Sequence, residues 1–401
     1  MTKLDRLIAD LCPNGVEFVK LGKIAVRTKG TPITAAQMKT LDKPNAPVKI
    51  FAGGKTVAYF DYADLPEKDV KTFPSVIVKS RGVIEFEYYD KPFSHKNEMW
   101  SYHSERENVD IKYLYYFLKT QENKLREKAT SMGAFPQIAI PDTEQLQIPL
   151  PPLPVQQEIV RILDIFTELT AELTAELSAR RVQYSYYRDD LLNLGQNVER
   201  VNLGDIATIR TGLNPRQFFK LNTGSDAPNY YVTIREIHNN RVVFSEKTDR
   251  INDEALRLCN NRAKLEVGDV LFSGTATIGE TAVITETPTN WSIKEGVYVL
   301  KLFGERLLPR FLMYTFTTSK MKDLYKRKAE GGTVKSIPMK EMLKIQIPLP
   351  SLTEQERIVG ILDRFDKLTT DIAEGLPAEI TARKKQYEYY RDRLLSFEGV
   401  K

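Results

Sequence analysis

The stretch IPLPPLPVQQEIVRILDIFTELT, Ile148 to Thr170, returns as IPLPSLTEQERIVGILDRFDKLT, Ile347 to Thr369, with 14 of 23 positions identical at a constant offset of 199. Farther on, ARRVQYSYYRDDLL (Ala179 to Leu192) returns as ARKKQYEYYRDRLL (Ala382 to Leu395), 10 of 14 identical at an offset of 203, so the second copy carries four extra residues in between. Ahead of both, VEFVKLGKIA (Val16 to Ala25) matches VERVNLGDIA (Val198 to Ala207) at 7 of 10 positions and an offset of 182. The chain is therefore a tandem. Each half opens on a strand-like entry, runs through a stretch of its own, and closes on the proline motif and a long helix. Because the offset rises from 182 to 199, the second enclosed stretch is 17 residues longer.

The helical parts of the repeat carry a narrow apolar stripe. Ile159, Ile162, Phe166, Leu169 and Leu173, then Tyr184, Tyr187, Leu191 and Leu194, fall at three-and-four spacing with Glu, Arg and Gln on the other faces. Continuous from Val155 to Leu194, such a helix is roughly 60 Å long, too long to be covered by one small domain. It needs a partner helix, and the second copy supplies one through Ile358, Ile361, Phe365, Leu368, Ile372, Ile380, Tyr387, Tyr390, Leu394 and Phe397. Antiparallel pairing within the chain is the reading preferred over a coil between two chains. Gly375-Leu376-Pro377 interrupts the second copy, since proline removes a backbone donor and clashes with the preceding turn. A break near Leu376 is expected, with Pro377 opening a new helical segment. The first helix also holds a small repeat, TAEL TAEL (Thr170 to Leu177). It reads as good helix-forming sequence and, through its length, as a spacer that changes by about 6 Å per four-residue unit.

The enclosed stretches read as mixed strands and helices. In the first, Val48 to Phe51, Thr56 to Phe60, Ser75 to Val78 and Val83 to Tyr89 are rich in β-branched and aromatic residues between Gly, Pro and Asp, and Val109 to Leu125 is helical. In the second, Tyr230 to Ile234, Arg241 to Phe244, Asp269 to Phe272, Thr281 to Thr285 and Gly296 to Leu302 are strands, followed by a helix over Leu308 to Tyr325. The expected architecture is α+β: two pseudo-symmetric mixed α/β domains separated by two long helices packed as an antiparallel coiled coil. The expected bounds are a short helix within 1–15 ending at the Pro13-Asn14-Gly15 turn, a first domain over 16–152, a central helix over 153–196, a second domain over 197–351, and a C-terminal helix over 352–401.

A chain of 401 residues, 42% hydrophobic and 28% charged, is ordinary globular protein with room for two cores. Cys12 and Cys259 are too far apart to read as a disulfide framework or a metal knuckle, which suits a reducing compartment, the cytoplasm. No run of 18 apolar residues and no apolar leader at the N-terminus points to a membrane. The net charge of +5 is compatible with a polyanionic partner without requiring one.

The sequence carries no catalytic motif of the required pattern. GGKT (Gly53 to Thr56) resembles a P-loop, but Lys49 stands where GxxxxGK[ST] needs its first glycine. The three histidines, His95, His103 and His238, have no spaced cysteine or carboxylate cluster around them and read as core or surface packing. No N/D-P-P-Y/F tetrapeptide of adenine methyltransferases occurs, and PLPPLP (Pro149 to Pro154) reads as a stiff connector.

Two divergent segments, each closed by an I-P-L-P-P-L..Q..I...L motif and a long helix with QY-YYRD-LL, resemble the specificity subunit of type I restriction-modification systems. The TAEL units and ARRVQYSYYRDDLL resemble the type IC branch. The likeness covers essentially the whole chain and departs from the motif at Ser351, where the first copy has Pro152. It implies two target recognition domains, each reading one half of a split, asymmetric double-stranded DNA sequence, with no catalysis in this chain. It further implies two methyltransferase partners that modify adenine at N6 with S-adenosylmethionine after flipping the base out, and restriction partners that use ATP and magnesium. No membrane is involved.

On that reading DNA contacts fall in the divergent stretches, on loops at strand ends held by a rigid sheet. Base readout needs Arg, Lys, Asn, Gln, Ser or Thr, and phosphate contacts need Lys, Arg and backbone amides. TKGTP (Thr28 to Pro32) aligns with RTGLNP (Arg210 to Pro215), and KSRG (Lys79 to Gly82) corresponds to SGTATIG (Ser273 to Gly279). The expected contacts in the first domain are Lys29, Thr31, Lys55, Lys79, Ser80, Arg81, Lys96 and Asn97. In the second they are Arg210, Thr211, Arg216, Arg235, Asn239, Arg241, Ser273, Thr275, Lys294 and Lys335. The helical Arg180, Arg181, Tyr187 and Arg188, with their counterparts Arg383, Lys384, Tyr390 and Arg391, are expected to solvate the coil or to meet methyltransferase subunits. Two other functions compete: a self-sufficient nuclease or methyltransferase, and a protein-interaction scaffold with a coiled-coil spacer.

Overall fold

The computed structural model describes residues 2–132, 135–214, 227–371 and 375–400. Its contacts divide the chain into two compact units, Met1–Glu172 with Thr381–Lys401, and Leu173–Ile380.

In the first unit the two repeated ends of the enclosed stretch clasp each other. The entry strand Phe18–Lys20 pairs antiparallel with Gln147–Pro149, Val19 opposite Ile148. Between them lie two sheets. One runs Val26–Thr28, Trp100–His103, Ser75–Lys79, Glu85–Tyr89, antiparallel throughout; the other runs Val57–Phe60, Val48–Phe51, Phe93–His95, its last pair parallel. Ser75–Lys79 is buried at every position, and its alternate side chains serve two cores. Val76 and Val78 join Phe86, Leu114, Leu118 and the central-helix residues Val155, Ile159 and Leu163. Ile77 faces the opposite way, against Phe51, Phe93 and Met99. A strand covered on both faces reads as a continuous apolar run, and SVIV does. The N-terminal helix Lys3–Leu11, capped by Thr2 and Asp5, adds Leu4 to the same core. The chain ends meet here as well: the Val16 N–H donates to the Glu398 carbonyl at 2.9 Å.

The second unit repeats the plan. Arg200–Asn202 pairs with Gln346–Pro348, Val201 opposite Ile347, the same register as in the first unit. Its four-stranded sheet runs Ala207–Thr211, Val297–Leu302, Val270–Ser273, Thr281–Val283, and its three-stranded sheet runs Arg250–Ile251, Asn229–Val232, Trp291–Ile293, again with one parallel pair. Val270 and Phe272 enter one core while Leu271 enters another. A hairpin, Ile237–His238 with Arg241–Val242, has no counterpart among the described residues of the first unit. Its turn residues Asn239 and Asn240 both have positive φ, the conformation that tight hairpin turns demand and asparagine tolerates.

The central helix Leu153–Leu191 is unbroken over 39 residues. In the C-terminal copy helix ends at Thr370 and resumes at Leu376, with Asp371 extended, so the expected break is present. Gly375 explains its sharpness: a Cβ there would lie 2.6, 2.8 and 2.9 Å from the carbonyl oxygens of Lys367, Leu368 and Asp371. Within the first unit Phe166 stacks on Tyr390 at 5.4 Å, and within the second Tyr187 stacks on Phe365 at 5.6 Å. Phe166 and Phe365 are repeat equivalents, as are Tyr187 and Tyr390. Each unit thus makes the same aromatic pair with the roles of the two helices exchanged, and partner numbers fall as central-helix numbers rise, the antiparallel sense.

Some expectations shift. The helix read over Leu308 to Tyr325 is two, Pro309–Thr317 and Ser319–Lys328. Thr318 between them is extended; its hydroxyl donates to the Thr315 carbonyl and accepts from the Met321 N–H, so one side chain ends a helix and starts the next. The helices Ala35–Leu41 and Asp253–Arg262 were not read from the sequence. Among the described residues no helix is long and apolar enough to cross a membrane.

Candidate nucleic-acid interface

The repeated glutamine of the proline motif ties each sheet domain to its helix. Gln156 is fully buried; its amide donates to the carbonyls of Asn108 and Pro151 at 2.9 and 2.7 Å and accepts from the Asp110 N–H at 2.9 Å. Gln355 repeats all three bonds, to Arg306, Pro350 and Leu308, each at 2.9 Å. A second anchor is also doubled. Asp164 accepts from Lys112 and Tyr116 at 2.7 and 2.5 Å, and Asp363 from Arg310 and Tyr314, both at 2.6 Å. The match of Lys112 and Tyr116 to Arg310 and Tyr314 lies inside the divergent stretches, where no repeat was read. These contacts leave the loops at the far ends of the strands free to differ.

In the first unit the expected loops are brought together. The Thr31 N–H donates to the His95 carbonyl at 2.7 Å, and Gly30 lies so close to the Lys96 carbonyl that a Cβ would collide with it. The Ile138 N–H donates to the Ser80 carbonyl at 3.0 Å and the Gly82 N–H to the Pro136 carbonyl at 2.9 Å, so the segment Phe135–Gln137 is zipped onto the KSRG loop. The second unit does the same at equivalent places. Gly212 sits against the Ile293 carbonyl, Ile337 donates to the Gly274 carbonyl, and Ala276 donates to the Lys335 carbonyl, both at 2.9 Å. Glycine is required at Gly30 and Gly212 because two strand-end loops touch there.

Side-chain direction separates the expected residues. Lys29, Lys55, Arg81, Asn97, Arg210, Arg235, Asn239, Arg241 and Lys335 are exposed, and Lys96, Thr211, Thr275 and Lys294 are half-buried. Thr31, Ser80 and Ser273 point inward: Thr31 bonds the Ser94 hydroxyl at 2.6 Å, Ser80 donates to the Glu98 carbonyl, and Ser273 donates to the Thr277 carbonyl. Their hydroxyls hold loops in shape and offer no group to a duplex. Lys79 is buried too, between Glu87 at 2.8 Å and Glu85 at 3.2 Å; burial works against its charge, yet the two carboxylates hold its pKa above the ordinary lysine value. Arg235 pairs with Asp249 at 3.2 Å. Arg241 faces Asp366 and Asp371 of the frame at 3.9 and 3.7 Å, and its neighbour Asn240 donates to Asp366 at 2.9 Å, so this hairpin leans on the helix and away from the loop cluster. Lys55 stands alone at the turn between Val48–Phe51 and Val57–Phe60. Arg216 lies outside the described residues.

The clearest concave feature beside these loops is an open groove in the first unit, lined by Lys29 and Asn97 together with Lys68, Asp69, Lys71 and Phe73. Lys68 and Lys71 were not singled out from the sequence; their three-residue spacing in KDVK carried no recognisable pattern. His95, beneath, is fully buried and its pKa falls to about 4 through burial, so it is a neutral core histidine. Among the described residues no group of three His, Cys, Asp or Glu side chains could hold a metal ion.

On the helices, Arg188 is buried against Asp189 at 2.8 Å, and Asp189 accepts from the Ser319 N–H at 3.2 Å. Arg180 bonds Gln183 at 3.0 Å, Arg383 bonds Gln386 at 3.1 Å, and Arg391 pairs with Asp392 at 2.7 Å. Arg181 and Lys384 are exposed. Tyr187 and Tyr390 stack within the helix pairs, Tyr187 remaining 41% exposed, and each also packs edge-on against its more exposed neighbour, Tyr186 at 67% and Tyr389 at 59%.

Comparison with known proteins agrees with this architecture. The chain is 35% identical over 300 residues to the specificity subunit of the type I restriction enzyme EcoR124I/EcoR124II of Escherichia coli, covering 72% of this chain and 71% of that protein. It is 34% identical over 310 residues to a putative type I restriction enzyme specificity subunit of Haemophilus influenzae, covering 73% and 74%. The crystal structure of a type I restriction-modification S subunit from Mycoplasma genitalium superposes with a TM-score of 0.57 over 95% of this chain and 96% of that one at 16% identity, a likeness of fold. The sequence profile of the type I restriction modification DNA specificity domain matches twice, over residues 13–180 and 195–382, and the chain belongs to that family.

Proposed function

We propose that each sheet domain reads one half of a bipartite, asymmetric DNA sequence and that the paired helices fix the distance between the halves. The observation that carries this reading is the doubled frame with unlike filling. Both domains share strand order, clasp register and the glutamine anchor, while the loops at the strand ends differ: KSRG against SGTATIG, and TKGTP against RTGLNP. A scaffold that held one ligand twice would have no reason to keep the frame and vary these loops. Exposed Lys29, Arg81, Asn97, Arg210 and Lys335 are the contacts that this arrangement favours among those expected.

The chain directs other subunits and does no chemistry itself. Its doubled helix surface, with Tyr186 and Arg181 in one copy and Tyr389 and Lys384 in the other, serves two copies of one methyltransferase subunit, which would methylate adenine with S-adenosylmethionine. Restriction subunits using ATP and magnesium complete the nuclease. Sequencing of modified bases in DNA from cells expressing this chain with its methyltransferase tests the reading. A split methylated motif is expected, and exchange of residues 16–147 for another divergent stretch should alter one half of it only; a change in both halves would refute independent domains.

A further inference from the structure

Lys71 is placed as few lysines are. Only 4% of its surface is exposed. Its backbone is fixed on both sides, N–H to the Phe93 carbonyl at 2.8 Å and carbonyl to the Phe93 N–H at 2.9 Å. Among the described residues its ammonium has one partner, the Asp69 carbonyl at 2.7 Å, and no carboxylate within ion-pair distance. Compare Lys79 in the same domain, equally buried but held between two glutamates. A buried ammonium that lacks a counter-charge is costly, and proteins avoid it unless something supplies the anion. Burial accordingly lowers the Lys71 pKa below the ordinary lysine value. Two more lysines, Lys29 and Lys68, line the same groove against a single carboxylate, Asp69, which favours the charged form of Lys71 without reaching ion-pair distance. Three ammonium groups and the Asn97 amide outweigh the one carboxylate in the lining, an arrangement complementary to an anion with several oxygen acceptors.

We propose that this groove is a phosphate clamp for the DNA backbone, with Lys71 as its buried anchor and Lys29 and Lys68 at its rim, seating one phosphodiester of the half-site read by the first domain. The clamp rests on the DNA-reading function proposed above. A phosphate seated at a preformed ammonium fixes the register in which the neighbouring loops Thr28–Pro32 and His95–Asn97 meet base edges, and itself reads no sequence.

The test uses the assembled methyltransferase, this chain with its methyltransferase subunits, and a fluorescent duplex carrying the motif found by sequencing of modified DNA. Affinity is measured from 50 to 300 mM KCl for wild type, Lys71→Met and Lys71→Arg. Loss of one phosphate contact makes the plot of log affinity against log salt shallower by about 0.9, equivalent to roughly eightfold weaker binding at 0.1 M salt relative to 1 M. The Met variant should show this slope change, the Arg variant should keep the wild-type slope, and both should methylate the wild-type motif. The Met variant should also melt no lower than wild type, because it removes a desolvated charge while keeping an apolar stem. Inorganic phosphate should displace the duplex no better than chloride at equal ionic strength. An unchanged slope in Lys71→Met overturns the clamp, as does failure of that variant to fold, which would make Lys71 a structural residue. An altered first half of the motif would make it a base reader, and specific displacement by inorganic phosphate would assign the groove to a free anion. Wild type that shows no salt-dependent binding to the duplex would instead defeat the DNA-reading function itself.

Discussion

Gln156 shows how a single residue can carry a motif. Its amide closes three hydrogen bonds in a dry site, and Gln355 repeats them with different residues, so the glutamine in the proline motif is a joint between domain and helix. Gln156→Ala leaves the Asp110 N–H and two carbonyls without partners, a cost of about 1–3 kcal/mol. Urea unfolding of the purified chain should show it, and Gln157→Ala, exposed one residue on, should stay within about 0.5 kcal/mol of wild type. Equal effects from the two substitutions would mean that the joint is not where the stability lies. The sequence marked this glutamine as repeated without revealing its role, since its partners lie far along the chain at Asn108 and Asp110. The same limit explains Thr31, Ser80 and Ser273. Thr31 and Ser80 follow strands and Ser273 ends one, but only tertiary packing turns a hydroxyl inward, and nothing in the local sequence records that direction. Lys71 is the converse case: an ordinary letter in KDVK that the fold buries with no carboxylate at ion-pair distance among the described residues.

At the scale of elements the repeat made the helices legible and the break predictable, because apolar spacing and Gly-Leu-Pro act locally. Gly375→Ala should disturb that break, since three carbonyl oxygens stand within 3 Å of the new methyl group and none belongs to a flexible side chain. A loss on the order of 1–3 kcal/mol is expected, read as a lower melting temperature; a variant as stable as wild type would show that the turn has room to relax. The two-helix split at Thr318 was illegible because a threonine in a helical pattern is tolerated more often than it terminates one. The YYRD segments divide by face. Tyr187 and Tyr390 stack in the helix pairs, whereas Tyr186 and Tyr389 pack edge-on against them and still expose more than half of their surface. Large exposed aromatics at repeat-equivalent positions fit one partner met twice, and aromatic anchors commonly dominate binding energy. Tyr186→Ala should remove one methyltransferase subunit from the assembly and Tyr186→Ala with Tyr389→Ala both, as read by light scattering. Retention of both subunits by the double variant would place the docking surface elsewhere.

For the whole molecule the duplication does the explaining. Strand order, clasp register and anchors recur in both units, so the parts that differ, the strand-end loops and the hairpin at Asn239–Asn240 among them, are what selection of a target could act upon. The central helix passes unbroken through the TAEL units between Phe166, which stacks in the first unit, and Tyr187, which stacks in the second. Deleting Thr174 to Leu177 removes about 6 Å of helix and just over one turn, so the residues on either side keep nearly the same face. The stretch of central helix between Phe166 and Tyr187 then shortens by close to two base-pair rises of about 3.4 Å, while the partner stretch from Phe365 to Tyr390 keeps its length and has to adjust at its break near Gly375. Sequencing of modified bases from cells carrying this deletion should show both half-sites unchanged and the spacer altered. Half-sites recognised at the original spacing with full methylation would mean that the helix does not measure the gap, and the doubled aromatic pairs would then serve stability alone.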